Sequence, residues 1–451
     1  MKLPVMRTKV LYVLLTLVLT IAGLSTVEAQ EVDSLEIDLA TALNIALSEN
    51  PTVKVADMEI EKTGYAKKGT YASLFPQIDF STNYQGAIKK QVMVMGDQSF
   101  EIGKNHTWST GFSLGMPLIS VPLWKSLQIT ALDVELAVEK ARASRQDLID
   151  QVQQTFYTVL LASDSYNVYQ QNYENTLADY NDVKEKYDNG SVAKYDLIRA
   201  DVALQNAKPA MYDAKNNVEL CLWKLKALLG VDLNMNIACK GSLADYADQM
   251  KNVIVNSEVS LENNSTLKQL ELQDEMLHKN YKLQIAKYYP SLNFSMGYQW
   301  IAMEDNMKFS QYKWNPYSTA AVSLAIPIFS GGQRYNSVRQ TRVQREQLQL
   351  QKENAARELE VAVRQALSSM ETCLKQFEAA EAGMEGAETG YNIAQKRYEV
   401  GSGTLLELQD SQLALLQSQL NLNQSVYNYL VAKSSLDKIL GVTGNGVNEN
   451  R

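Results

Sequence analysis

Three cysteines and two histidines in 451 residues leave little material for metal, redox or imidazole chemistry. Cys221, Cys239 and Cys373 are too scattered to form a disulfide framework or to repeat a metal-ligand spacing. His106 and His278 read as surface side chains. The chain has no Gly-x-Ser-x-Gly element and no zinc motif, so an enzyme reading finds no site, and no cofactor or metal is expected. Basic residues are outnumbered, 43 against 51, and the net charge of −8 makes nucleic acid a poor partner. With nine prolines in all, helix breakers are rare: Leu123 to Tyr187 holds neither proline nor glycine. At 1.5 Å per residue that stretch allows ~100 Å of unbroken helix. Beyond residue 29 nothing resembles an apolar helix able to span a bilayer.

What the first 29 residues do contain is a secretory leader pattern. Lys2, Arg7 and Lys9 precede the apolar run Val10–Leu24, and Val27-Glu28-Ala29 is a small-x-small site. Cleavage is expected between Ala29 and Gln30, leaving a mature chain near −10. No cysteine stands at the cut to carry a lipid, so any membrane residence must use strands.

Strand patterns are present. Ile78, Phe80, Thr82, Tyr84 and Ile88 alternate with Asp79, Ser81, Asn83 and Gln85; after a polar loop over 89–105, Thr110, Phe112, Leu114, Met116 and Leu118 alternate with serine and glycine. A second pair repeats this, with Leu292, Phe294, Met296, Tyr298 and Trp300, then Val322, Leu324, Ile326 and Ile328. One greasy face and one polar face is the pattern of transmembrane barrel strands, expected over about 77–88, 107–118, 291–300 and 318–328. Met93, Met95, Met303 and Met307 in the connecting loops would suit copper(I), but read better as loop filler.

Between the strand pairs lie helices with a seven-residue seam: Val152, Val159, Tyr166, Tyr173, Tyr180 and Tyr187 in the first, and Val363, Met370, Phe377, Met384, Tyr391 and Tyr398 in the second. A sustained heptad demands supercoiling against neighbours. Each seam ends in a tip, Tyr187-Asp188-Asn189-Gly190-Ser191 or Tyr398-Glu399-Val400-Gly401-Ser402-Gly403-Thr404, and a new helix follows at once. Glycine ends a helix cheaply and Ser or Thr caps the next, so each tip reads as a helical hairpin. The last helix carries two stripes, Leu406, Leu413, Leu420, Tyr427 and Leu408, Leu415, Leu422, Tyr429, Leu436, on nearly opposite sides, as suits a helix within a wall. Pro209 is expected to kink or interrupt the helix returning from the first tip.

The two halves are a tandem duplication. Asn50 matches Asn264, Phe75-Pro76 matches Tyr289-Pro290, and Leu229-Gly230-Val231 matches Leu440-Gly441-Val442, all at offsets of 211 to 214. The expected organisation is a leader (1–29), a first repeat (30–230), an irregular collar (231–264), a second repeat (265–442) and a polar tail (443–451). Four strands cannot close a barrel, whose smallest bacterial forms have about eight, so several copies must pool them. Three copies give twelve strands and a coaxial tube of helices.

The duplicated Tyr-x-x-Gly-Ser tips, the proline-bearing strand–helix junctions and the doubled strand pair resemble the outer-membrane efflux proteins of the TolC type, over nearly all of Leu35–Val442. The resemblance implies a mainly α fold: a homotrimer whose 12-stranded β-barrel lies in outer-membrane lipid and continues into a long periplasmic α-helical barrel. It also implies a non-enzymatic exit duct for efflux or type I secretion, working with a periplasmic adaptor protein and an inner-membrane pump of RND or ABC type. The family's ring of gate carboxylates falls on Glu407 and Asp410, its lock tyrosine on Tyr398 and its lock aspartate on Asp196. The lock arginine position is Gly403 here, with Lys194 or Arg397 as conceivable replacements. Gly190, Ser191, Gly401, Ser402 and Gly403 would face the adaptor. The alternative from another class is a trimeric coiled-coil surface spacer, which explains the heptads but not the strand pairs between them.

Overall fold

A computed structural model describes residues 35–250 and 260–442. The leader with Ala29 and Gln30, and the polar tail, lie outside the described residues. A short strand, β1 (Leu35–Ile37), leads into α1 (Leu39–Glu49) and α2 (Pro51–Ala72). Asp38 caps α1 by accepting from Thr41 N–H, and Asn50 caps α2 by accepting from Thr52 N–H. Gly64 and Gly69 do not break α2.

One antiparallel sheet contains β2 (Gln77–Gly86), β5 (His106–Ile119), β7 (Ser291–Glu304) and β8 (Asn315–Ala325), in the order β2-β5-β7-β8. The register aligns the alternation of all four strands. Ile78, Leu114 and Met296 stand in one row, and Phe80, Phe112 and Tyr298 in the next, all on one face. Asp79, Ser113, Gly297 and Thr319 occupy the other. The apolar row is bare in the single chain, with Ile78 67% and Phe80 61% exposed. Among the described residues no helix is long and apolar enough to cross a membrane.

The 89–105 stretch differs from its reading as a loop. Gln91–Met95 (β3) and Gln98–Ile102 (β4) pair as an antiparallel ribbon beyond the sheet. The Val92-Met93-Val94-Met95 run is apolar throughout, so it carries no period-two signal inside an otherwise polar stretch. Asp305, after β7, fixes the ribbon's foot: its carboxylate accepts from Lys90 Nζ and Lys104 Nζ at 2.8 Å each and from Asn105 N–H at 3.0 Å. Those donors, Lys104 first, hold the Asp305 carboxyl well below the usual carboxylate range.

Long helices continue from the sheet: α3 (Val121–Asp188) returns as α4 (Lys194–Leu229), and α7 (Gln333–Glu399) returns as α8 (Leu405–Leu440). Pro209 sits inside α4 without interrupting it, on an exposed face where the missing hydrogen bond leaves a carbonyl in water. Near the sheet, α2, α3, α6 (Ser265–Ala286) and α7 pack side by side; towards the tips α3 packs against α4 and α8, and α8 against α7. The heptad residues Val152, Val159, Val363, Met370 and Phe377 join Phe156, Leu225, Leu229 and Tyr429 in the main core at mid-length. β6 (Ile237–Cys239) pairs parallel with β1, and α5 (Ala244–Met250) follows. Leu243, fully buried, donates its N–H to Asp164 Oδ2 on α3 and docks this segment against the long helix.

The duplicated sequence signatures turn out to be two halves of one contact. Asn50 Nδ2 donates to Leu228 O and Asn264 Nδ2 to Ile439 O, both at 2.7 Å. Each asparagine caps its own outgoing helix and also holds the end of the returning one. Gly230 and Gly441 close those ends in left-handed backbone, at φ 74° and 69°, against Glu49 and Asn263.

Candidate functional site

The far end of the helices, where the two hairpin tips meet, holds every candidate site residue within the described chain. Both tips are built by the same backbone rule. Gly190 N–H donates to Tyr187 O (2.9 Å) and Ser191 N–H to Lys186 O (2.8 Å); Gly401 donates to Tyr398 O (3.1 Å) and Ser402 to Arg397 O (2.8 Å). With φ of 71° at Gly190 and 76° at Gly401, each is a Schellman ending in which glycine reverses the chain. The second tip then starts α8 with a capping box. Thr404 Oγ1 accepts from Glu407 N–H at 3.2 Å, while Glu407 Oε2 accepts from Thr404 N–H at 3.4 Å.

Glu407 therefore already has a structural duty. Its carboxylate also lies 3.5 Å from Arg397 Nη2, and Arg397 donates to Ser402 O at 3.3 Å. Gly403 rests against Arg397, where an added Cβ would meet Arg397 Cβ at 3.1 Å. The cation absent at 403 is thus present beside it, but it pairs within its own hairpin. Asp410 is exposed one turn further on, and Asp196 sits in the first turn of α4, where a carboxylate complements the helix dipole. Asp196 and Glu407 occupy equivalent places in the two repeats, 211 residues apart.

No hydrogen bond joins Tyr398 to Asp196 among the described residues. Tyr398 instead carries the Lys186 ammonium 4.3 Å above its ring, and Lys186 pairs with Asp182 at 2.7 Å. Partial burial pushes the Tyr398 phenol up. Beneath this contact Val183 of α3, Ala200 of α4 and Leu405 of α8 form a small buried core, with Tyr180, Val192, Leu197 and Tyr398 around it. Two further bonds cross between the hairpins. Arg199 Nε donates to Gln409 Oε1 at 2.6 Å, and Gln412 Nε2 to Thr176 Oγ1 at 3.2 Å.

Lys186, Arg199 and Gln412 escaped the sequence reading. Lys186 had a visible signal, because both tips carry a cation before the tyrosine, Lys186-Tyr187 and Arg397-Tyr398. Arg199 and Gln412 had none, since their partners are fixed only when the hairpins are side by side.

The chain is a four-stranded sheet with one bare apolar face, the pattern of outer-membrane barrel strands, continued by two long helical hairpins with a polar tip. The chain belongs to the outer membrane efflux protein family, whose model matches residues 42–231 and 256–442. Its fold is that of solved outer-membrane channels. The CmeC channel of Campylobacter jejuni aligns with a TM-score of 0.72 at 19% identity, covering 95% of this chain and 92% of that one. VceC of Vibrio cholerae aligns at 0.71 and 13% identity, covering 90% and 96%. MtrE of Neisseria gonorrhoeae aligns at 0.72 and 17%, covering 90% and 89%. No curated protein matches it in sequence. The chain is thus an outer membrane efflux protein with the fold of solved outer-membrane channels.

Proposed function

We propose that three copies assemble into a 12-stranded barrel and a coaxial helical tube that serves as the exit duct of a tripartite efflux or type I secretion system. In this reading the channel performs no chemistry. Cargo enters from an inner-membrane pump through a periplasmic adaptor protein. The observation that carries the proposal is the open sheet: β2 and β8 are its edges, pair with nothing on their outer sides among the described residues, and are exposed along their whole length. Unpaired backbone groups cannot face lipid, so another copy must complete them. The helical edges agree. On α7, Tyr335, Val343, Leu350 and Val361 are exposed, as are Val55, Met58 and Tyr65 on α2.

The chain then divides as its repeats suggest, with a leader over 1–29, units over 30–230 and 265–442, a collar between them and a tail from 443. The tips form the narrow end. Glu407 and Asp410, tripled, would place six carboxylates there and favour cations over anions. Tyr398 and Asp196 belong to the same constriction, with Arg397 and Lys186 as the cations that hold it.

Gly190, Ser191, Gly401, Ser402 and Gly403 are the surface offered to the adaptor. A Cβ at Gly401 would meet nothing within 4 Å, so its cost within the chain is the left-handed backbone, about 1–2 kcal/mol. Gly401→Leu is therefore expected to leave assembly intact while abolishing capture of the adaptor and resistance to toxic compounds. A pull-down read beside growth on a compound panel checks this; full resistance with a bound adaptor would contradict docking through the tip.

A further inference from the structure

The hairpin junction contains a carboxylate that neither the capping boxes nor the cross-hairpin bonds use. Asp179 lies on α3 two turns before Lys186, and its Oδ2 is closed off from solvent without a hydrogen-bond donor. The groups acting on it are Asp182 and Lys186 from its own helix. On α7, burial pushes the phenols of Tyr391 and Tyr398 up and the charge of Asp179 adds to it, with Glu399 also acting on Tyr391. The neighbouring contribution of α8 is uncharged, the Gln412 amide bonded to Thr176 one turn away. That of α4 is Ala200 in the small buried core. A carboxylate oxygen closed off from solvent without a donor, beside a second aspartate and with its nearby cation already paired to Asp182, is badly placed to hold a charge.

We infer that Asp179 is a proton-operated catch between the hairpins: with a proton it lets the Tyr391–Tyr398 face of α7 seat on α3 and holds the tip narrow, and without one it loosens that seat. The inference rests on reading the tip as the narrow end of the channel. Burial, reinforced by Asp182, pushes the Asp179 carboxyl up to about 6. Loosening the junction would let water reach it and restore the ordinary value of 3.8. The seated tip binds the proton more tightly, so its advantage is complete below the ordinary value. It is lost as pH rises from there to about 6 and is flat beyond. Acid would latch the tip, and neutral pH would leave it primed for opening.

The test is conductance of the purified full chain in planar bilayers from pH 4.5 to 7.5, beside Asp179→Asn and Asp182→Asn. Wild type is expected to raise its open fraction ~10-fold or more across the acid half of the range, since each unit of displaced pKa is tenfold in the coupled equilibrium. Asp179→Asn, permanently neutral, should stay at the acid level throughout. Asp182→Asn removes a like charge and frees Lys186, so its rise should finish at lower pH. Hydrogen exchange of tip amides, corrected for the intrinsic rate, reads the same seat without any current: protection should fall between pH 4.5 and 6 in wild type and not in Asp179→Asn. A pH profile in Asp179→Asn identical to wild type in both measurements would overturn the catch. Absence of current at every pH, with exchange still responding to Asp179, would overturn the duct reading instead.

Discussion

Gly441→Ala is expected to lower the stability of the detergent-solubilised protein by about 2–5 kcal/mol, combining left-handed strain with a forced backbone shift. The physical reason is spatial as well as conformational. At φ 69° a side chain is already strained, and the new Cβ would lie 2.2 Å from the carbonyl oxygen of Asn263 and 2.8 Å from its carbon. Backbone cannot rotate away as a side-chain tip can. The displaced segment also carries Asn264, which caps α6 through Leu267 N–H and holds Ile439 O, and Gly441 O itself accepts from the buried Gln146. Gly230→Ala probes the matching contact of the first repeat, where the nearest backbone oxygen is 2.9 Å away, and should cost less. Gly383→Ala, within α7 and with nothing inside 4 Å, is the control and should be neutral or stabilising by about 0.5–1 kcal/mol. Thermal unfolding followed by circular dichroism ranks the three. Equal melting points for Gly441→Ala and Gly383→Ala would remove the Asn–Gly clasp from the account.

If the tip is the channel's gate as proposed, Arg199→Ala should raise its open fraction. A charge-assisted bond contributes about 1.5–3 kcal/mol, so its loss shifts a closed–open balance roughly tenfold to a hundredfold. Arg199 reaches from α4 to Gln409 of α8, and these helices belong to different hairpins. Widening the tip requires hairpins to part, so a bond that spans them opposes widening directly. The Arg397–Glu407 pair lies within one hairpin and moves with it. Arg397→Ala should therefore weaken the α8 start while changing conductance less than Arg199→Ala does. Single-channel recording of both variants separates the two roles, and a larger opening from Arg397→Ala would reverse the assignment.

The architecture was legible because its signals are periodic and local. Alternation marked the four sheet strands, the absence of proline and glycine marked α3, and the Gly-Ser pairs marked both reversals. Offsets of 211 to 214 exposed the duplication, yet could not say that Asn50 and Gly230, or Asn264 and Gly441, touch each other. Pro209 misled for a physical reason: a helix packed along one side tolerates a lost bond on its wet side. The ribbon over 91–102 was missed because Val92–Met95 is a short apolar run without alternation and Gln98–Ile102 alternates over only five residues. At the tip, the family resemblance suggested Glu407 as a gate carboxylate, while the fold gives it a helix-capping task beside Arg397 as well. The cross-hairpin contacts of Lys186, Arg199 and Gln412 depend on tertiary register, which no single helix encodes.

The central claim is that one chain supplies a third of a closed barrel. Native mass spectrometry of the protein released from detergent micelles, with conductance measured on the same preparation, tests it most directly. The account predicts particles of three chains that pass ions when returned to a bilayer. A monomer that stays soluble without detergent and carries no current would contradict it.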